Sequence, residues 1–244
     1  MKSFRTAKEQ QVGKNVEALF LESADSVESK LENFPKYVRR QHLKRFLALY
    51  EIFKMVLAVK GSVVECGVFK GFGLMSWAKL STILEPENLT RRIYGFDSFA
   101  GFPKVTARDS NLIAIPQPGE LRADSAQELE KLIGEYDQDR FLGHIDKVHL
   151  VAGDLAQTVP KFVEEHPHLL VSLLFMDLDL YEPTRVALEQ FLPRMPRGAV
   201  VAFDELDNPI WPGETQAALE ALPIRNLRLR RLEWDPYIAY TVLE

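Results

Sequence analysis

Acidic residues stand at the ends of five short apolar segments of this sequence. The segments read SVVECGV, RIYGFDS, VHLVAGD, LVSLLFMDLD and GAVVAFDE, and the acids are Glu65, Asp97, Asp154, Asp177, Asp179, Asp204 and Glu205. One such acid commonly caps the next helix or forms a turn. Five in succession favour a shared site, because carboxylates along one rim repel each other unless a cation or hydrogen-bond donors compensate.

A glycine-rich turn, ECGVFKGFG over residues 65–73, follows the first segment. Glycines let the backbone turn tightly and approach a ligand, and the next helix offers unpaired N–H groups. Short-chain dehydrogenases have a similar turn, but they need a Tyr-x-x-x-Lys pair downstream of it. The one such spacing here, Tyr50 to Lys54, lies upstream of the turn. The absence of such a pair downstream of the turn therefore argues against a nicotinamide enzyme.

The carboxylates after the second and third segments suit a nucleoside. Asp97 lies 30 residues after Gly67, where a carboxylate can accept both hydrogen bonds of a ribose diol. Asp154 is placed either to accept a hydrogen bond from the exocyclic amine of adenine or to cap the helix that starts near Gln157.

The elements that must position these acids form an α/β fold. The five segments alternate with amphipathic stretches, which predicts parallel strands joined by crossovers, and their near-continuous apolarity is typical of strands covered on both faces. We expect a helix over residues 73–84, a capping box of Ser125 and Glu128, and Pro183 in the first turn of PTRVALEQFL. NLRLRRLEW and YIAYTVL, separated by a turn at residues 235–236, predict an antiparallel hairpin.

Two or more helices precede the first strand, since apolar residues have helical spacing over residues 14–60, interrupted at Pro35. We expect one domain over residues 1–244, with a helical cap over 1–60 and the catalytic core over 61–244. A helix of the cap would pack over the sheet or over a second subunit, and we expect a homo-oligomer.

The connection from Phe99 to Ala123 has no regular pattern and is rich in Gly and Pro. A connection this long in a compact domain commonly forms a lid or a binding loop. A loosely attached insertion is the alternative, although the segment contains apolar side chains able to dock, Phe99 and Phe102 among them.

Composition limits the class of protein. The 244 residues are 46% hydrophobic and 27% charged, which is ordinary for a globular chain. A net charge of −5 argues against a nucleic-acid partner. The lone Cys66, the charged N-terminus and the absence of an apolar run of about 18 residues predict a cytoplasmic protein away from membranes.

Four ordered motifs together resemble the macrocin O-methyltransferase (TylF-type) family of class I S-adenosylmethionine-dependent methyltransferases. They are VVECGVFKG, YGFDSFAGFP, FMDLDLYEPT and VVAFDELDNPIWPGE, and four motifs in order are more specific than one glycine turn. The resemblance implies a Rossmann-like fold with a seven-stranded, mostly parallel sheet, a C-terminal antiparallel hairpin and N-terminal helices. It also implies S-adenosylmethionine over the first strands and a divalent metal such as Mg²⁺ beside it.

The resemblance also implies roles for single residues. Glu65 and Gly67 would meet the methionine part of the cofactor, Asp97 its ribose and Asp154 its adenine. The remaining residues of the implied cofactor site are Gly71, Ser98 and Asp177.

The implied metal ligands are Asp177, Asp204 and Glu205, with Asp177 also as the general base. Family members often have Asp where this chain has Glu205, so Glu205 is the least secure of the three ligands.

These residues suit transfer of a methyl group to an alcohol. A sugar hydroxyl has a pKa far above neutral, so its proton must be removed as the new bond forms. A Mg²⁺ ion could bind two adjacent hydroxyls and lower the pKa of one, and Asp177 could accept the proton. Tyr181 and Trp211 offer aromatic faces for the acceptor.

We therefore expect an O-methyltransferase for a small hydroxylated acceptor, such as a deoxysugar that is nucleotide-linked or attached to a natural product. A catechol-type methyltransferase and a cofactor-binding partner protein without transferase activity are the alternatives.

Overall fold

The structure, a computed structural model, describes residues 6–110 and 116–244. The chain divides into two compact units, one ending at Leu47 and one running from Ala48 to Glu244. The first unit contains α1 (Ala7–Glu22), α2 (Val27–Glu32) and the beginning of α3 (Arg40–Met55). Among the described residues, no helix has both the length and the apolarity needed to cross a membrane.

The second unit alternates strands and helices. Its strands are β1 (Ser62–Cys66), β2 (Ile93–Asp97), β3 (Val148–Ala152), β4 (Val171–Met176), β5 (Val200–Phe203), β6 (Arg230–Leu232) and β7 (Asp235–Val242). Its complete helices are α4 (Phe72–Leu84), α5 (Ala126–Gln138), α6 (Leu155–Glu165), α7 (Tyr181–Phe191) and α8 (Pro212–Ala221).

All seven strands form one sheet in the order β3-β2-β1-β4-β5-β7-β6. Strands β1 to β5 are parallel and β7 pairs antiparallel with both β5 and β6, which confirms the predicted fold. Every residue of β1, β4 and β5 is buried, as the apolar segments predicted. Because the chain progresses outward from β1 on both sides, the strand order reverses between β1 and β4, where open α/β sheets bind ligands.

Two local predictions were wrong in detail. Ser125 is the N-cap of α5, but its side chain makes no capping hydrogen bond, because its backbone is helical (φ −96°, ψ −4°) rather than extended. Its hydroxyl donates instead to the carbonyl oxygen of Phe69, in the loop after β1. The hairpin turn lies at residues 233–234, since β7 already includes Asp235 and Pro236.

A buried arginine ties the second unit together at the edge of the sheet opposite the acids. Arg91 is 2% exposed, and its Nε lies 2.7 Å from Oε1 of Glu85, at the end of α4. Its two terminal nitrogens donate to Ser172 of β4 and to four main-chain carbonyl oxygens, those of Val56, Leu57, Val59 and Gly61. One side chain thus joins the segment before β1 to α4 and β4.

Candidate active site

A pocket opens beyond the carboxyl ends of β1, β2 and β4. Its lining residues are Gly67, Phe69, Asp97, Ser98, Gly101, Phe102, Pro103, Leu121, Leu155, Asp177, Leu178, Asp179, Leu180 and Pro183. The pocket volume is about 170 Å³, below the roughly 300–1,000 Å³ of typical small-molecule sites. A ligand of nucleoside size would therefore extend from the pocket onto its open rim.

Gly67 sets the floor of this pocket. Its φ is 95°, and a Cβ there would overlap the carbonyl group of Asp177. The ends of β1 and β4 come together at this point, where the N–H of Asp177 donates to the carbonyl of Cys66 at 2.8 Å. A residue with a side chain would force the two strand ends apart, so glycine is needed where the backbone borders the pocket.

Asp97 holds the loop after β1 against the end of β2. Its Oδ2 accepts hydrogen bonds from the N–H groups of Val68 at 2.8 Å and Phe69 at 2.7 Å, and its Oδ1 accepts from Phe99 at 2.6 Å. Two carboxylate oxygens can accept about four hydrogen bonds, so the group retains capacity for a ligand hydroxyl. Ser98, next to it, donates to the carbonyl of Gly101 at 2.6 Å.

Three residues of the predicted cofactor set lie outside the pocket lining. Glu65 is 2% exposed, and its carboxylate lies against Gly73 in the first turn of α4. Gly71 is the N-cap of α4, with a φ of 84°. Asp154 caps α6 by accepting from the N–H of Ala156 at 3.1 Å, which is the alternative that the sequence left open.

The turn after β4 contributes two acidic residues, Asp177 and Asp179, to the pocket lining. Asp177 was predicted to act there, whereas Asp179, two residues later in the same DLD motif, was given no role. Asp179 has a φ of 62° and is 8% exposed. Burial, with the nearby charges of Glu205 and Asp204, raises the pKa of Asp179 to about 8.

A buried glutamate that the sequence did not reveal lies beside the acidic turn after β5. Glu214, in the first turn of α8, is fully buried and accepts hydrogen bonds from the N–H groups of Glu205 at 3.0 Å and Leu178 at 3.4 Å. It therefore links the turn after β4 to the turn after β5. Burial raises the pKa of Glu214 well above its usual range.

The predicted metal ligands do not form a metal site in this structure. The side chain of Glu205 accepts a hydrogen bond from Asn208 in its own turn, and neither Glu205 nor Asp204 lines the pocket. Over residues 6–110 and 116–244, no three His, Cys, Asp or Glu side chains are arranged so that they could hold a metal ion. In the arrangement seen here, the three predicted ligands therefore do not fit a Mg²⁺ ion.

The two predicted acceptor residues have different surroundings. Trp211 is 8% exposed and packs behind the pocket wall, in a cluster with Phe102 and Leu180. Tyr181 lies outside the lining, and its hydroxyl donates to Oε2 of Glu220 at 2.6 Å. Trp211 can thus support an acceptor wall, whereas the contacts of Tyr181 give no support for its predicted role.

Comparison with known proteins places these motifs in a family. A sequence model of macrocin O-methyltransferase (TylF) matches residues 37–238. This match spans the glycine turn and all the strand-end acids.

Among curated proteins, the chain is similar to the 8-demethyl-8-(2,3-dimethoxy-alpha-L-rhamnosyl)-tetracenomycin-C 4'-O-methyltransferase of Streptomyces olivaceus. The two are 30% identical over 166 residues, which cover 67% of this chain and 60% of that protein.

Among solved structures, the fold is similar to that of CalS11, a calicheamicin methyltransferase, with a TM-score of 0.92, 35% identity and coverage of 98% of this chain and 94% of that one. An apo structure of CalS11, described as a TDP-rhamnose 3'-O-methyltransferase, matches with a TM-score of 0.85 and 34% identity, over 98% of this chain and 96% of that one.

Proposed function

We propose that this chain, which belongs to the macrocin O-methyltransferase (TylF) family, transfers a methyl group from S-adenosylmethionine to a hydroxyl group of a sugar. The observation that carries the proposal is the pocket between β1 and β4, which is lined by residues of the glycine turn together with Asp97, Asp177 and Asp179. At this position, a bound nucleoside cofactor and a carboxylate that takes up a proton can both reach the same hydroxyl group of the sugar.

The residues of the pocket fit the proposed cofactor. Asp97 retains acceptor capacity for about one ribose hydroxyl, because its carboxylate already accepts three main-chain hydrogen bonds. Gly67 places no side chain between the main chain and the pocket, and Leu155 and Leu121 provide apolar surface for a base. Asp154 remains proposed for the adenine amine in addition to its role as a helix cap. When bound, S-adenosylmethionine supplies a methyl group that is already electrophilic, so the protein mainly aligns donor and acceptor.

The turn after β4 supplies the proton acceptor. As the acceptor oxygen forms its bond to the methyl carbon and the carbon–sulfur bond breaks, the hydroxyl proton must pass to a base. Asp177 is the residue that the resemblance implies, and Asp179 is a second carboxylate that lines the same pocket. We therefore assign the proton transfer to this pair of residues.

A sugar acceptor is supported by two kinds of observation. The proteins to which this chain is similar are described as methyltransferases of a rhamnosyl group and of TDP-rhamnose. The pocket lining combines three acidic residues, whose carboxyl groups can form hydrogen bonds with hydroxyls, with the apolar side chains of Phe102, Leu178 and Leu180. This mixture suits a deoxysugar, which has both hydroxyl and apolar edges.

Turnover of TDP-rhamnose tests the proposal directly. We expect the purified protein, given S-adenosylmethionine and TDP-rhamnose, to form S-adenosylhomocysteine and a sugar heavier by one methylene group, as followed by mass spectrometry. Binding of S-adenosylhomocysteine without turnover of this sugar, other deoxysugars or catechol would instead support a partner protein without transferase activity. Turnover of catechol alone would support the catechol-type alternative.

The same assay tests the Mg²⁺ dependence that the resemblance implies. The resemblance implies that a chelator abolishes turnover and that added Mg²⁺ restores it, which would require the acids after β4 and β5 to form a set of ligands that they do not form in this structure. Turnover unchanged by chelator would contradict the metal prediction without affecting the proposed methyl transfer.

Asp97→Ala should weaken binding of S-adenosylhomocysteine about tenfold or more, because hydrogen bonds to a charged acceptor contribute about 1.5–3 kcal/mol each. Isothermal titration calorimetry measures the dissociation constant directly. Asp146→Ala is a matched control, since Asp146 is exposed just before β3, at the opposite edge of the sheet. Equal dissociation constants for Asp97→Ala and the parent protein would show that the ribose contact is misassigned.

A further inference from the structure

Part of the pocket wall comes from a loop and not from the sheet. We call residues Phe99–Ser110, which follow β2, the roof segment; its Gly101, Phe102 and Pro103 line the pocket. Apart from one short turn of 3-10 helix at Ala107–Asp109, the segment has no regular secondary structure. Its position therefore depends on the contacts that attach it to neighbouring elements.

Asp109 attaches the far end of the roof segment to α7. Its side chain is 1% exposed. Its Oδ1 accepts a hydrogen bond from the N–H of Tyr181 at 2.6 Å, while its Oδ2 accepts from the N–H and hydroxyl of Thr106, both at 2.7 Å. Tyr181 is the first residue of α7, so this carboxylate satisfies an N–H group that has no partner within the helix and lies at its positive end.

Exposed contacts join the same elements beside Asp109. The guanidinium group of Arg108 lies 4.2 Å from the centre of the Tyr181 ring and pairs with Glu220 of α8. The side chain of Gln216, also on α8, donates to the carbonyl of Arg108 at 3.0 Å. Since Arg108 and Glu220 are 47% and 52% exposed, water screens this pair and it contributes less than the buried carboxylate.

The pocket-lining part of the roof segment lies between two carboxylate attachments, and Phe102 also exchanges main-chain hydrogen bonds with Gly119 and Glu120, both at 2.9 Å. Asp97 accepts from the N–H of Phe99 at the start of the segment, and Asp109 holds its far end. Between them, Phe102 packs edge-on against Trp211, with ring centres 5.7 Å apart. The first attachment is to the strand that carries the predicted ribose ligand, whereas the second is to the helix that follows Asp177 and Asp179.

We propose that Asp109 is a positioning residue for the sugar acceptor. By holding the roof segment on the N-terminus of α7, it sets the gap between Phe102 and the carboxylates of Asp177 and Asp179, in which the acceptor binds. The expected change in KM rests on the proposed function, whereas the expected effect on the position of the roof segment does not.

Asp109→Asn and Asp124→Asn form a matched pair for the test. Asp124, like Asp109, lies between β2 and α5, but it is exposed and pairs with Arg122, two residues away. With TDP-rhamnose as acceptor, Asp109→Asn should raise KM for the sugar about tenfold or more, since a small misplacement of a binding wall is costly. Its kcat and its affinity for S-adenosylhomocysteine should stay within about threefold of the parent values. Asp124→Asn should change none of these quantities.

Hydrogen exchange provides a readout that does not require turnover. The amide of Tyr181 and the peptides of the roof segment should exchange faster in Asp109→Asn than in Asp124→Asn. If Asp109→Asn has the lower melting temperature, the exchange rates are first corrected for this difference in global stability. Arg108→Ala, which removes an exposed side chain, should change exchange in the same direction but less.

Two results would overturn the inference: exchange in Asp109→Asn equal to that in Asp124→Asn, or a loss of cofactor affinity as large as the rise in KM. If the parent protein does not turn over TDP-rhamnose, the proposed function fails for that sugar, and the exchange comparison still decides whether Asp109 holds the roof segment.

Discussion

Asp179→Asn and Asp177→Asn are each expected to lower kcat by about 10²–10⁴-fold, the usual contribution of a positioned acid or base. Both residues line the pocket, and both lie in the turn that follows β4. The affinity for S-adenosylhomocysteine, measured by calorimetry, should change much less than kcat if proton transfer is what the variant loses. If only one of the two variants loses this much activity, that residue is the base.

Asp207→Asn is the control for these two variants. Asp207 has a φ of 63°, close to the 62° of Asp179, but it is exposed in the turn after β5 and does not line the pocket. Asn and Asp tolerate this backbone region better than most residues, so Asp179→Asn and Asp207→Asn each replace a carboxyl group without adding backbone strain. If Asp177→Asn and Asp179→Asn both keep the activity of Asp207→Asn, proton transfer by this turn is refuted.

The fold could be predicted from the sequence because its strands are buried on both faces. Segments such as VVEC and VSLLFM have no polar residues facing water, so their apolarity reveals them without any knowledge of their partners. The hairpin of β6 and β7 was recognisable from two β-rich runs, but its turn was misplaced by two residues. Pro236 lies within β7, and a proline can occupy the first residues of a strand.

Positions along the rim were also predictable, because parallel strands bring their ends together. Gly67, Asp97, Ser98 and Asp177 follow β1, β2 and β4 and do meet in one pocket. Which group each side chain contacts could not be predicted in the same way. Asp154 is also at a strand end, yet it caps α6, because the chain turns into that helix at the next residue.

The residues that the sequence did not reveal act through contacts between distant segments. Glu214 reaches back 36 residues to Leu178, and Asp109 reaches forward 72 residues to Tyr181. Each is a lone carboxylate in a stretch that no periodic pattern identifies, so its type and spacing carry no signal of burial. Glu214 and Asp109 contact these distant segments only because α7 and α8 pack where they do against the sheet.

The second large effect concerns stability, at the edge of the sheet opposite the pocket. Arg91→Met should lower the free energy of unfolding by about 3 kcal/mol, because it leaves a largely buried carboxylate without its cationic partner. Glu85 is the partner, with a side chain 10% exposed. The carbonyls of the segment before β1 and Ser172 lose their donors in the same variant, which adds unsatisfied polar groups.

Urea unfolding followed by circular dichroism measures this loss, with Arg92→Met as the control. Arg92 is the next residue but is only partly buried, and a substitution at such a position usually changes stability by about 1 kcal/mol or less. An equal decrease of the urea midpoint in Arg91→Met and Arg92→Met would contradict the stabilising role assigned to Arg91. The double variant Arg91→Met with Glu85→Gln should lose less than the sum of the two single variants, because removing both charges leaves neither of them buried alone.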